Sequence, residues 1–238
     1  MSDHSSRIDL LKVAQHLGEL REDVVFVGGC AVVFLVPKSS VASIRPTEDV
    51  DCILKVASRA QYYREVVERL RSLGFSECTE AGAPICRWVI EGISVDVMPT
   101  SEEVLGFTNR WYDFALTDPI VLEPIPNVSI RVINHVAFLA TKFEAFGSRG
   151  RGEYEGNTDI EDILSVLAYC PGLEKRIKRA PRPIRDYLKF CALEFVALRN
   201  LAELVSAALP ADRVSQSAVP AVLEILRSLA DERELGTL

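Results

Sequence analysis

Every strand-like run in this chain ends before residue 134, and the remainder carries helical patterns only. The first such run is Val24-Val25-Phe26-Val27, a β-branched stretch closed by Gly28-Gly29, which reads as a buried strand. Val50–Val56 reads as a second. Phe75–Glu80, Ile85–Ile90 and Ile93–Met98 follow, the last two separated by Glu91-Gly92, a pair suited to a tight hairpin turn. Val128–Val132 is the last predicted strand. Helical stripes lie between them. Ser6–Leu20 carries Ile8, Leu11, Val13, Leu17 and Leu20, and Cys30–Val36 is a short helix stopped by Pro37. Arg59–Leu73 sets Tyr63, Val66, Val67 and Leu70 on one face and closes at Gly74. Thr100–Phe107 makes a helical turn.

Beyond Asn134, which is placed to cap a helix reaching about Gly147, comes a loop rich in Gly and charge over Ser148–Asn157. Thr158-Asp159-Ile160-Glu161 reads as a capping box opening a helix to about Tyr169. Pro171–Arg179, Pro183–Leu209 and Val219–Arg233 are further helical stretches. The expected fold is α+β: a mixed β-sheet with flanking helices over residues 1–133, then an all-α domain over 134–238.

Bulk properties narrow the class. With 48% hydrophobic residues in 238, a buried core is readily formed. A formal charge of −7 argues against a generic polyanion binder, although a local basic face is compatible with it. The six cysteines form no CxxC pair and sit mostly in apolar runs, so they read as small buried hydrophobes. Three scattered histidines do not make a structural zinc site. Met1–Ser6 is polar with no apolar stretch after it, so no signal peptide is expected. No apolar run has the length of a membrane span, and the cytoplasm is the expected compartment.

Three short pieces carry chemistry. Gly28-Gly29, between a strand and a helix, lets backbone approach a ligand closely, though such a pair also makes plain turns. In Thr47-Glu48-Asp49-Val50-Asp51, residues two apart on a strand point to one face, so Asp49 and Asp51 project together. Two carboxylates so placed repel unless a cation lies between them, and Mg²⁺ prefers such oxygen ligands. Asp96, inside the apolar run Ser94–Met98, is costly to bury unless paired or metal-bound. On neighbouring strands the three carboxylates converge.

Gly-Gly, then Asp-x-Asp, then a third Asp on a later strand resembles the nucleotidyltransferase superfamily. The run Arg45-Pro46-Thr47-Glu48-Asp49-Val50-Asp51 looks like the Arg-x-Thr/Ser-x-Asp-hydrophobic-Asp segment of its AbiEii-type, MenT-like toxin branch. Gly29 stands where other branches often carry a serine, which fits this branch rather than the polymerase-like one. The resemblance spans about residues 24 to 168 and is most specific at the aspartates.

The resemblance implies a nucleotidyltransferase-like sheet and Mg²⁺, two ions in the usual scheme, held by Asp49, Asp51 and Asp96, with an NTP as substrate. Asp96 would also be the candidate base. Gly28 and Gly29 would seat the triphosphate, Arg45 and Thr47 would line the nucleotide site, and Lys142 would steady the phosphates. Arg149 or Arg151, and Asp159 with Asp162, would complete the set. Transfer of a nucleoside monophosphate to the end of a tRNA or to a protein hydroxyl is the implied activity, with a cognate antitoxin as a possible partner. A small-molecule acceptor, as in antibiotic-modifying relatives, and a non-catalytic nucleotide-binding protein on the same scaffold are the alternatives. The basic run Lys175, Arg176, Lys178, Arg179, Arg182 and Arg185 has two readings, a track for phosphates or the solvated face of a helix.

Overall fold

The computed structural model describes residues 4–149 and 153–231, and the chain divides into two compact units. The first comprises residues up to Phe34 together with Arg45–Asn134, and the second Leu35–Ile44 together with the chain from His135 onward. The short segment Leu35–Ile44 lies before residue 133 in sequence but groups with the helices. Its tie is visible: His135 Nε2 is 2.9 Å from the carbonyl oxygen of Leu35.

The first unit is built on one seven-stranded mixed sheet. Its strands are β1 (Val24–Val27), β2 (Asp49–Leu54), β3 (Ser76–Glu77), β4 (Arg87–Ile90), β5 (Ile93–Pro99), β6 (Ile120–Ile125) and β7 (Val128–Val132). Across the sheet the order is β3-β4-β5-β2-β1-β7-β6. β2 pairs antiparallel with β1 and parallel with β5, while β1 and β7 are parallel. Central β1 is buried at all four positions, which is why its sequence is a continuous apolar run rather than an alternation. The β4–β5 hairpin turns at Glu91 and Gly92 with φ of 49° and 78°. Both values lie in the left-handed region that a two-residue hairpin turn requires.

Helices α1 (Ser5–His16), α2 (Val32–Leu35), α3 (Arg59–Gln61), α4 (Glu68–Ser72), α5 (Glu102–Leu105) and α6 (Tyr112–Thr117) accompany the sheet, with α2 straddling the two units. α3 and α4 are the ends of the single helix expected over 59–73, joined by a π-helical turn, Tyr62–Val67. That wider turn buries Tyr62, whose hydroxyl donates to the Val97 carbonyl at 3.2 Å. Two elements of this unit escape the sequence pattern, α6 and β6. β6 contains Pro124 and a half-exposed face, features an edge strand tolerates and an inner strand does not.

The second unit is helical: α7 (His135–Arg149), α8 (Thr158–Tyr169), α9 (Leu173–Arg179), α10 (Arg182–Val196), α11 (Leu201–Ala208), α12 (Arg213–Gln216) and α13 (Val219–Asp231). The cap of α8 is Asn157, whose side-chain oxygen accepts from the amides of Asp159 and Ile160, so Thr158 is the first helical residue rather than the cap. The long helix expected over 183–209 is two helices, α10 and α11. α12, capped by Asp212, was not expected. Edge-to-face rings of Phe143 and Phe195, 5.4 Å between centroids, lie in this unit's core. Among the described residues no helix is long and apolar enough to cross a membrane.

Candidate metal centre

The parallel register of β2 on β5 sets Asp51 directly opposite Asp96, and the antiparallel register of β5 on β4 sets Asp96 directly opposite Arg87. Paired residues on neighbouring strands share a face. A row therefore crosses three strands as carboxylate, carboxylate and guanidinium, with Asp49 two residues before Asp51 on the same side. One carboxylate oxygen from each of Asp49, Asp51 and Asp96 lies within 4.8 Å of the others. Asp96 is buried, and Asp49 and Asp51 are half-buried.

Gly28 forms the wall beside Asp51. Its φ of +66° is a left-handed conformation, and a Cβ placed on it would come 1.9 Å from Asp51 Oδ2 and 2.9 Å from Asp51 Cβ. Only glycine lets that carboxylate occupy its place. Gly29 follows, buried, as the first residue of a 3₁₀ turn, Gly29–Ala31.

Arg87 was not anticipated from sequence. Its Nε donates to Asp96 Oδ1 at 2.8 Å, and one Nη donates both to Asp96 Oδ2 and to Asp49 Oδ2, each at 2.8 Å. These hydrogen bonds and the negative field of Asp96, Asp49 and Asp51 hold the guanidinium firmly charged, against the opposing effect of burial. The four side chains together have a formal charge of minus two. That field also acts on nearby thiols. Burial, reinforced by Asp96, pushes Cys86 up to about 12, and burial with Asp51 raises Cys30 and Cys52 well above the ordinary range.

The remaining expected residues fall in two places. Thr47, in the first unit, fastens the entry to β2: its amide donates to Ser6 Oγ at 2.9 Å, and its hydroxyl lies 3.3 Å from the Asp49 carbonyl oxygen. Arg45 Nη1 donates to the Pro46 carbonyl at 3.2 Å. In the second unit Lys142, Arg149, Asp159 and Asp162 form one cluster. Lys142 Nζ lies 2.9 Å from Asp159 Oδ1 and 2.7 Å from Asp162 Oδ2, and Arg149 reaches Asp159 Oδ2 at 3.1 Å. Burial alone would lower the Lys142 ammonium, but the two carboxylates more than reverse that and raise it above its ordinary value. Arg151 lies outside the described residues.

No family model matches this chain, and no curated protein does.

The donor set fits a hard divalent cation. It consists of carboxylate oxygens alone, with no thiol or imidazole among them. Oxygens on opposite sides of an ion with ~2.1 Å bonds are ~4.2 Å apart. Carboxylate oxygens within 4.8 Å of one another are thus on the scale of a single ion's coordination shell.

Proposed function

We propose that the protein is a Mg²⁺-dependent nucleotidyltransferase moving a nucleoside monophosphate from an NTP to an acceptor hydroxyl, on a nucleotidyltransferase-like sheet. The observation that carries this reading is the junction of three sequence pieces at one place: the Gly28 turn, the Asp49–Asp51 pair and Asp96 on the adjoining strand. A hydroxyl oxygen attacks the α-phosphorus, the bond to the bridging oxygen breaks, and pyrophosphate leaves with the electron pair. When bound, the divalent ion supplies electrostatic stabilisation of the phosphates.

The chain's own residues do the rest. Asp49, Asp51 and Asp96 hold the ion. The Gly28–Gly29 turn, against which Asp51 packs, seats the triphosphate. Asp96 is the most buried of the three carboxylates and the candidate acceptor for the hydroxyl proton. The acceptor is a tRNA end or a protein hydroxyl, in keeping with the sequence resemblance to toxin-type transferases, and the exposed basic residues of α9 suit a phosphate backbone.

The test is incubation of the full chain with each labelled NTP, Mg²⁺ and either total RNA or total protein. Label entering one pool, and lost in Asp51→Ala by ~10³-fold or more, about 4 kcal/mol of barrier, is the expected result. Label transfer that is unchanged in Asp51→Ala refutes the assignment.

A further inference from the structure

We propose that Arg87 is the protein's built-in counter-cation, and that a divalent ion competes with it for Asp49. This rests on the reading that the three aspartates take such an ion. Arg87 bridges two of the three carboxylates, but its two attachments differ in kind. Toward Asp96 it presents a planar fork, Nε to Oδ1 and Nη to Oδ2, from the directly opposite position of the neighbouring strand. That is the bidentate geometry in which arginine binds carboxylate best. Toward Asp49 it offers one hydrogen bond, from an Nη already shared with Asp96. The shared, single bond is the weaker of the two.

Exposure points the same way. The Asp49 side chain is 34% exposed, that of Asp96 only 11%. A hydrated cation therefore arrives at the Asp49 end, where the arginine grips least. When the Nη–Asp49 bond yields, the fork on Asp96 remains. Each carboxylate oxygen has a second lone pair, so Asp96 keeps a donor site for the ion while the guanidinium still fixes its orientation.

Arg87 is in this sense a positioning residue. It stops three clustered carboxylates from repelling one another while no ion is bound, and it sets how much divalent cation is needed to occupy the centre.

Two measurements on the full chain decide the matter. The first is calorimetric Mn²⁺ binding by the native protein, Arg87→Gln, Arg87→Lys and Asp51→Ala. Removing the competing charge in Arg87→Gln tightens binding about ten-fold, and lowers the metal-free melting temperature, which added Mn²⁺ restores. Arg87→Lys, which keeps the charge but not the fork, falls between the two. The second is arginine side-chain NMR of the native protein during Mg²⁺ titration: the Arg87 Nη signals shift while the Nε–H signal persists. This second arm needs no variant to fold.

Arg87→Gln binding Mn²⁺ no more tightly than the native chain, or Nη signals unmoved at Mg²⁺ saturation, overturns the proposal. Asp51→Ala separates the two readings. If the native chain binds Mn²⁺ and Asp51→Ala does not, the metal centre stands whatever Arg87 does. If neither the native chain nor Arg87→Gln binds, both fall.

Discussion

Gly28 and Asp51 occupy space that cannot be shared with one more carbon: a Cβ at residue 28 would stand 1.9 Å from Asp51 Oδ2. The carboxylate can swing away from such a clash, but its Cβ, 2.9 Å from the same point, is fixed by the β2 backbone. Gly28→Ala is therefore expected to turn Asp51 out of the cluster and to weaken divalent-cation binding at least ~10-fold, or about 1.4 kcal/mol. A φ of 66° with a ψ of −167°, a combination essentially confined to glycine, adds a backbone cost of about 1–3 kcal/mol. Calorimetric Mn²⁺ titration alongside thermal melts checks both effects, and unaltered affinity would show that Asp51 does not need its present position.

Lys142 stands between two nearly buried carboxylates, with side-chain exposures of 12% for the lysine, 9% for Asp159 and 3% for Asp162. Breaking such a group by removing one charge costs far more than the group contributes net, because two nearly buried carboxylates lose the ammonium that faces both, with the exposed Arg149 still reaching Asp159. Lys142→Met is expected to destabilise the protein by about 3–5 kcal/mol, read by urea denaturation. Adding Asp162→Asn to Lys142→Met recovers part of the loss. A Lys142→Met variant as stable as the parent would mean the ammonium is not structural.

His135 supplies a pH signature. Burial holds its ring below the ordinary value near 6.5, against the raising effect of the Leu35 carbonyl and with help from the positive Arg176. Bonding to a carbonyl oxygen requires a proton on Nε2. With the folded value depressed, the unfolded chain binds more protons below 6.5, so stability falls as pH drops through that window and is flat above it. The melting temperature of the native protein should decline from pH 7 toward the folded value, and His135→Gln should flatten that slope. A slope identical in the two proteins would rule His135 out as its source.

Among the six cysteines, Cys78 alone is not buried, and Cys30, Cys52, Cys86 and Cys170 are all pushed toward the unreactive thiol form by burial. Iodoacetamide at neutral pH should modify the native protein once, at Cys78, as read by peptide mass spectrometry. Rapid modification at Cys30 or Cys52 would mean that the floor of the aspartate cluster opens to solvent.

The aspartates were legible because period-two geometry and the cost of a buried charge are local properties of a sequence. Arg87 is legible in principle, through the hairpin. A two-residue turn at Glu91-Gly92 fixes Ile90 against Ile93, and counting outward puts Arg87 against Asp96. What local pattern does not contain is the choice of β5 as the parallel neighbour of β2, or a second residue bonded to both strands' acids. β6 and α6 were missed for another reason: an edge strand holding a proline, and a helix of one and a half turns, bury too little apolar surface to leave a periodic stripe. The split of 183–209 into α10 and α11 is a break between two amphipathic helices, and a window over the whole stretch averages across it.

The acids that meet on β2 and β5 are joined by a long excursion, residues 55–92, rather than by a short connector. Their alignment is thus insulated from length changes in the loops of that excursion, which enter only as slack. It is exposed to any gain or loss of a single residue inside β5, which would rotate residue 96 to the reverse side of the sheet and present its neighbours, valines, to Asp51. Insertions and deletions are accordingly expected to be tolerated in the connecting loops, the two-residue Glu91-Gly92 turn apart, and not within a few residues of the two strands' shared hydrogen bonds.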